Sequence, residues 1–346
     1  VVMGKFAGNV ISRYPVVPDG PYKDSAASGV WSLAEALSYT KGGLWPITGN
    51  GAPTGLLAGG FTNAITNAIV TFNISVVGSS TSDFGDLSSA TKQWSMSGNY
   101  TRAVLPVIGS DDSFSNQINY VQYSTLGNSI DFGDLTLSRA QLGTVANSTR
   151  ILFAAGYIPN PYASNVIDYV SIASTGNALD FGDLTVIRNS ATASVESSSR
   201  GIFAGGYSPS SSGNINTMDY VTILSTGNAT DFGDLATADG QNTGVSSGTR
   251  GVFTAGTNNR EMHYVTISST GNTTSFGDLS SIGDYLSSSC SNTRGVFYGG
   301  SPGGAVTNAM EYITVASAGN GTDFGDLTTA IKELAGTSRV HGGLAA

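Results

Sequence analysis

Six copies of Phe-Gly-Asp-Leu, beginning at Phe84, Phe132, Phe181, Phe232, Phe276 and Phe324, carry most of the chain's recurring carboxylates. An Asp-Phe-Gly triplet holds magnesium in protein kinases, but it acts there with a lysine strand and a His-Arg-Asp loop that this chain lacks. Regular repetition points instead to structure: each Phe fills space between repeats, each Gly permits a bend, and Asp86, Asp134, Asp183, Asp234, Asp278 and Asp326 are expected to accept turn N–H bonds. Asp111-Asp112 and the pairs Asp83/Asp86, Asp131/Asp134 and Asp231/Asp234 offer oxygen ligands to calcium. No Asp-x-Asp-x-Asp-Gly loop accompanies them, so no metal site is expected.

Six of the fifteen basic side chains, Arg102, Arg150, Arg200, Arg250, Arg294 and Arg339, recur at one place in the repeat. An anion-binding ring is conceivable from such a set. A structural ion pair or carbonyl contacts between repeats is the simpler expectation. Hydrolysis needs converging carboxylates or an activated nucleophile, and no nonrepeating set of this kind assembles. His263 takes the slot before a repeat Tyr, where acids stand elsewhere, and reads as a surface residue; Cys290 reads as a structural thiol. No catalytic residue and no cofactor are expected.

What varies between copies is more informative. Runs ending in small residues are followed by loops of unequal length that carry Tyr157, Asn160 and Tyr162, then Tyr207, then Asn258 and Asn259. Loops on a rigid scaffold are where recognition usually resides, and these rings and amides suit stacking on sugars or contact with a protein.

Those loops must be held by the repeat itself. Twelve residues before each Phe-Gly-Asp-Leu stands an aromatic, namely Phe72, Tyr120, Tyr169, Tyr220, Tyr264 and Tyr312, and successive copies lie 44 to 51 residues apart. That period suits four-stranded blades rather than helical repeats. Tyr220-Val221-Thr222-Ile223, Thr226-Gly227-Asn228 and Asp231-Phe232 read as strand, tight turn and strand, a hairpin repeated at Gly176-Asn177, Gly271-Asn272 and Gly319-Asn320. Gly78-Ser79 marks a modified end copy. Arg-Gly-Ile-Phe-type runs ending in Gly205-Gly206 or Gly299-Gly300 supply another strand, expected to lie near the axis, and a Ser/Thr-rich segment supplies the fourth.

Units this small bury both faces only by stacking, and radial stacking closes a ring that protects sheet edges. The expectation is an all-β fold, a β-propeller over residues 51–346 with six blades, seven being the alternative. Gly55 to Gly60 already provides a first glycine-ended strand, and Ser338 to Gly343 writes it again, so one surplus strand is expected to seal the ring.

Residues 1–50 lack the repeat. Ser28-Gly29-Val30-Trp31-Ser32-Leu33 and Gly43-Leu44-Trp45-Pro46 flank a predicted helix over Ser32 to Tyr39, capped by Ser32 and Glu35. Trp31, Leu33, Leu37 and Trp45 are expected to dock this segment onto a partner surface. Val1-Val2 opens a stretch with neither a basic nor a long apolar region, so no signal peptide is expected, and no apolar run approaches the length of a membrane span.

Charged residues make up only 11% of the chain and the net charge is -9. Without clustered Lys and Arg, a nucleic-acid backbone is excluded as an expected partner. A single cysteine excludes disulfides within the chain.

The glycine-ended strands, together with repeats of the form Tyr-Val-x-Ile, Ser-Thr-Gly-Asn and Asp-Phe-Gly-Asp-Leu, resemble kelch-like arrays, in particular those of virion-associated proteins of marine and cyanobacterial phages. The Gly29 to Pro46 stretch is similar to segments of phage tail-fibre-like proteins. The resemblance implies a non-enzymatic structural or adhesive virion protein in an oligomeric assembly. Residues 1–50 would then meet other virion proteins while the propeller faces a host glycan or protein. A propeller glycosidase or lyase and a secreted bacterial adhesin are the alternatives.

Overall fold

Alternation builds the strands: in Thr217–Thr222 the side chain of Val221 is buried, Tyr220 is half-buried and Thr222 is exposed. The computed structural model describes residues 54–92, 95–107, 114–190, 193–256, 259–281 and 284–344, all within a unit running from Pro53 to Ala345. The predicted helix at Ser32 to Tyr39 and the docking residues Trp31, Leu33, Leu37 and Trp45 lie outside the described residues, as does Asn258.

The unit is a β-propeller of six antiparallel four-stranded blades. From the axis outward, the third blade runs Gly143–Ala146, Arg150–Ala154, Ser164–Ser171 and Leu179–Arg188. The others repeat this order. Their inner strands are Ser97–Gly98, Ala193–Glu196, Gly244–Ser246, Ser287–Cys290 and Ala335–Ser338, and neighbouring inner strands touch around the ring. The Ser/Thr-rich segment is therefore the axial strand, and the glycine-ended strand is second. Gly205 and Gly206 are needed for another reason: they open the loop beyond that strand at φ 69° and 101°, where the chain presses on the carbonyls of Asp239 and Asn189.

Ring closure corrects the expected register. Ala335–Ser338 pairs with Thr54–Ala58 as the inner strand of the first blade, with Ser338 opposite Gly55. Equivalent pairs in later blades set Glu196 opposite Gly201 and Ser246 opposite Gly251. Arg339 thus falls one step past the inner strand and is not the repeat arginine, whose place in the first blade belongs to Thr54. The run after Ser338 forms no strand, and Gly342–Leu344 is instead a buried 3-10 turn against the inner strands of the third, fourth and fifth blades.

Each hydrophobic cluster bridges two successive blades. Val104, Tyr120, Phe132 and Leu135 of the second blade meet Leu142, Ile151, Phe153 and Ile172 of the third in one of them. Phe324, Leu327 and Met310 of the last blade meet Leu57, Phe72 and Ile74 of the first in the cluster that closes the circle. The repeat Phe residues are all buried, as their spacing implied.

The polar signature residues also act between blades. The Gly176 N–H donates to the Phe132 carbonyl at 2.7 Å, and the Asn177 side chain accepts from the Asp134 N–H at 3.1 Å. The glycine bond recurs from Gly127 to Phe84, Gly227 to Phe181, Gly271 to Phe232 and Gly319 to Phe276, and Gly78 to Phe324 completes the ring. The repeat Asp thus contributes its backbone N–H, and Asn, not the expected Asp carboxylate, is the acceptor. Gly133, at φ 147°, lies where a Cβ would strike the Gly176 carbonyl. The arginines serve the same seams: Arg200 stacks on Tyr220 with 4.2 Å to the ring centroid and donates to the Ile267 carbonyl of the next blade at 2.9 Å. Arg102, Arg150, Arg250 and Arg294 repeat this arrangement, so carbonyl contacts replace the ion pair that was the other expectation.

Replacing Gly133 with Ala combines positive φ with a backbone collision and is expected to destabilise the fold by roughly 2 kcal/mol or more. Asn177→Ala removes one hydrogen bond and should cost about 1 kcal/mol. Denaturant titration of both variants checks the ranking.

Candidate functional site

The loops between the second and third strands of each blade leave the ring on the face where the inner strands begin. On the third blade this loop presents Tyr157, Asn160 and Tyr162. Its two ends are clamped by Arg139, which comes from the last residue of the preceding outer strand, Ile130–Arg139. Arg139 is fully buried, and its guanidinium donates to the carbonyls of Phe153 (3.0 Å), Ala155 (2.8 Å) and Val166 (2.6 Å) while pairing with Asp168 at 2.9 Å. Burial lowers its pKa to about 10 against the opposing pull of Asp168, so the guanidinium stays charged at neutral pH.

Arg188 does the same one blade on. It is paired with Asp219 and donates to the carbonyls of Gly205 (3.1 Å) and Thr217 (3.0 Å), the two ends of the loop that carries Tyr207. Burial raises the Asp219 carboxyl, with Arg188 opposing the rise, and burial lowers Arg188. These two arginines went unnoticed in the sequence. A signal was present, because each stands four residues after a Phe-Gly-Asp-Leu leucine and its acid occupies the slot before the next repeat Tyr.

Held this way, Tyr157 and Tyr162 stack with centroids 6.1 Å apart and planes 19° apart. Phe114, from the loop of the second blade, lies 5.4 Å from Tyr157 and extends the row. Sequence reasoning missed Phe114 because it belongs to another repeat. Tyr162 is 56% exposed and sits at φ 70°, a region a non-glycine residue leaves readily unless held. The hold is the Asn189 side chain, which donates to the Tyr162 carbonyl. Asn160 is exposed between the two tyrosines.

Tyr207, 38% exposed, opens a small hairpin, Tyr207–Ser208 with Gly213–Asn214, and its backbone pairs with Asn189. Its ring makes no stacking contact with the row among the described residues. Asn259 is placed apart on the fifth blade with its side chain engaged by Glu261. The predicted loop residues therefore divide: Tyr157, Asn160 and Tyr162 come together, Tyr207 borders them through Asn189, and Asn259 does not join.

The axis carries the other cluster of reactive types. His341 lies 2.7 Å from Glu196 through Nδ1 and 2.9 Å from the Gly98 carbonyl through Nε2, and Cys290 is buried at the end of a neighbouring inner strand. His341 is 2% exposed. Burial and the nearby Glu196 carboxylate push the Cys290 thiol up to about 11, so the grouping holds a neutral thiol rather than a nucleophile. His263 is half-buried, 3.8 Å from Glu261. Among the described residues no group of three His, Cys, Asp or Glu is placed to hold a metal ion.

Arg139→Met leaves Asp168 buried without its partner and should cost about 3–5 kcal/mol, with much of the loss recovered in the Arg139→Met/Asp168→Leu double variant, as read by urea unfolding. Because Cys290 is protonated in the fold up to about pH 11 against an ordinary 9.0, its contribution to stability is complete below pH 9 and disappears as pH climbs to 11. Native protein should resist thiol alkylation at pH 8, and Cys290→Val should flatten the alkaline decline in melting temperature. No family model matches this chain, and no curated protein matches it.

Proposed function

We propose that the protein is a non-enzymatic virion component whose propeller face binds a glycan of a host surface, while residues 1–50 join it to other virion proteins. The observation that carries the binding part is the aromatic row of Phe114, Tyr157 and Tyr162, displayed from two adjacent blades and fixed from beneath by Arg139 and Asn189. Sugar rings present apolar C–H faces that stack on such aromatics, and the neighbouring Asn160 amide can meet their hydroxyls. A charge-poor surface suits a neutral partner better than a charged one.

The virion assignment, with its extracellular setting, rests on the kelch-like repeat form and on the Gly29 to Pro46 stretch. Single stacking contacts are weak, so attachment would draw on many copies in one particle. The Tyr157→Ala/Tyr162→Ala double variant should bind host cells or their purified surface polysaccharide about tenfold more weakly, the loss of roughly 1.4 kcal/mol expected for stacking contacts, with an unchanged melting temperature. Unchanged binding would remove the rim site. Depolymerisation of the polysaccharide at enzyme-like rates would replace the reading with the glycosidase or lyase alternative.

A further inference from the structure

The inner strands enclose an axial cavity of about 70 Å³ that is lined by residues of all six blades. Its wall is made of short neutral polar groups, among them Ser95, Thr144, Ser194, Asn242 and Ser288. At the far end Glu196 and His341 contact each other, and the Gly342–Leu344 turn packs there, held by Tyr100 through the Leu344 carbonyl.

One residue in this wall stands where three of the other blades carry leucine, the fourth carrying Thr192 and the second Trp94 at the same offset in the sequence. Register across the blades sets Asn242 at the position of Leu142, Leu286 and Leu334, the residue two before the pairs Thr144–Phe153, Ser288–Phe297 and Gly336–Leu57, as Gly244–Phe253 is in its own blade. Those leucines pack against the hydrophobic clusters or belong to them. Asn242 is 4% exposed, and among the described residues neither its Oδ1 nor its Nδ2 has a hydrogen-bond partner. The Ser95 hydroxyl on the same wall is also buried without one among the described residues. An amide in place of a core leucine, with both polar atoms unpaired, costs stability unless something in the cavity bonds to it.

We infer that the axial cavity is a binding site for a compact uncharged polyol, held by the Asn242 amide and the surrounding hydroxyls. The size fits, since room for about five waters matches a molecule of glycerol dimensions. Chemistry fits as well: the lining hydroxyls and the Asn242 amide can each pair with a hydroxyl that donates and accepts, an apolar guest would leave Asn242 unpaired, and a charged one would meet, among the described residues, only the Glu196 carboxylate already paired with His341. Residues at the starts of the inner strands, Ser95 and Asn242 among them, line the cavity on the side of the rim loops, and a ligand would enter from there. This site is independent of the aromatic row.

Glycerol titration of the full chain, followed by the side-chain amide resonances of Asn242, tests it directly. The expected result is a saturable shift with a millimolar dissociation constant, weakened at least tenfold in Asn242→Leu as read on neighbouring backbone amides. Thr144→Val, which changes a hydroxyl to a methyl at constant shape, should weaken it severalfold and serves if Asn242→Leu fails to fold. Tyr157→Ala/Tyr162→Ala should leave glycerol binding unchanged, which separates this site from the rim. Linear, unsaturable shifts, or equal saturation in wild type and both cavity variants, would mean that the cavity holds only water and would overturn the inference.

Discussion

The hydrogen bond from a turn glycine to the carbonyl of the preceding blade's Phe is the constraint on which the architecture turns. A four-stranded sheet exposes an unpaired outer edge, and a single blade cannot cover its own faces. Here the turn of each blade grips the outer strand of the one before it, by a glycine bond such as Gly176 on Phe132 six times around the circle and by an asparagine bond such as Asn177 on Asp134 at five of those seams. Phe, Tyr and Arg act at the same seam: the Phe ring fills it, the Tyr ring meets that Phe edge-on, and the Arg lies over the Tyr and reaches the next blade. Because every bond joins neighbours, closure matters more than any one blade. The inner strand supplied by Ala335–Ser338 and the Gly78 to Phe324 bond are what turn a stack into a ring.

A ring built this way leaves its loops free to differ. Where two other seams hold neutral pairs, Asn119 with Ser88 and Thr81 with Thr328, and the fifth-to-sixth seam holds Glu311 with Ser280, a buried arginine and acid stand between the second and third blades and again between the third and fourth. Buried pairs of this type add little net stability but become expensive to break. Their placement explains their presence, since each guanidinium ties both ends of the loops that carry Tyr157, Tyr162 and Tyr207. Rigidity under an exposed aromatic row reduces the ordering cost on binding.

Much of this was legible in the sequence, because the same contact is written once per blade. The fixed interval from Tyr169 to Phe181, or from Tyr264 to Phe276, reports one edge-to-face pair, and the Gly-Asn turns report the grip on the neighbour. The radial order was not legible. Segments such as Ser287–Cys290 line a polar channel and so lack the apolar alternation that marks a strand, whereas the glycine-ended runs are conspicuous for their turns rather than for nearness to the axis. Arg339 misled because Gly-Thr-Ser-Arg imitates Ser-Gly-Thr-Arg, and only pairing with the distant Thr54–Ala58 strand fixes its register. Arg139 and Arg188 occur in two copies with partners in the following repeat, and Phe114 joins its row from a different blade, so their roles exist only once the ring is formed.

Native-state hydrogen exchange at the turn glycines Gly78, Gly127, Gly176, Gly227, Gly271 and Gly319 tests the central claim most directly, because these residues sit in exposed turns where an amide held only by its own hairpin exchanges quickly. Bonded to the preceding Phe carbonyl, all of them should exchange slowly and lose protection together, at the free energy of global unfolding. Fast exchange at these amides, or protection lost blade by blade, would contradict a ring sealed by contacts between neighbours.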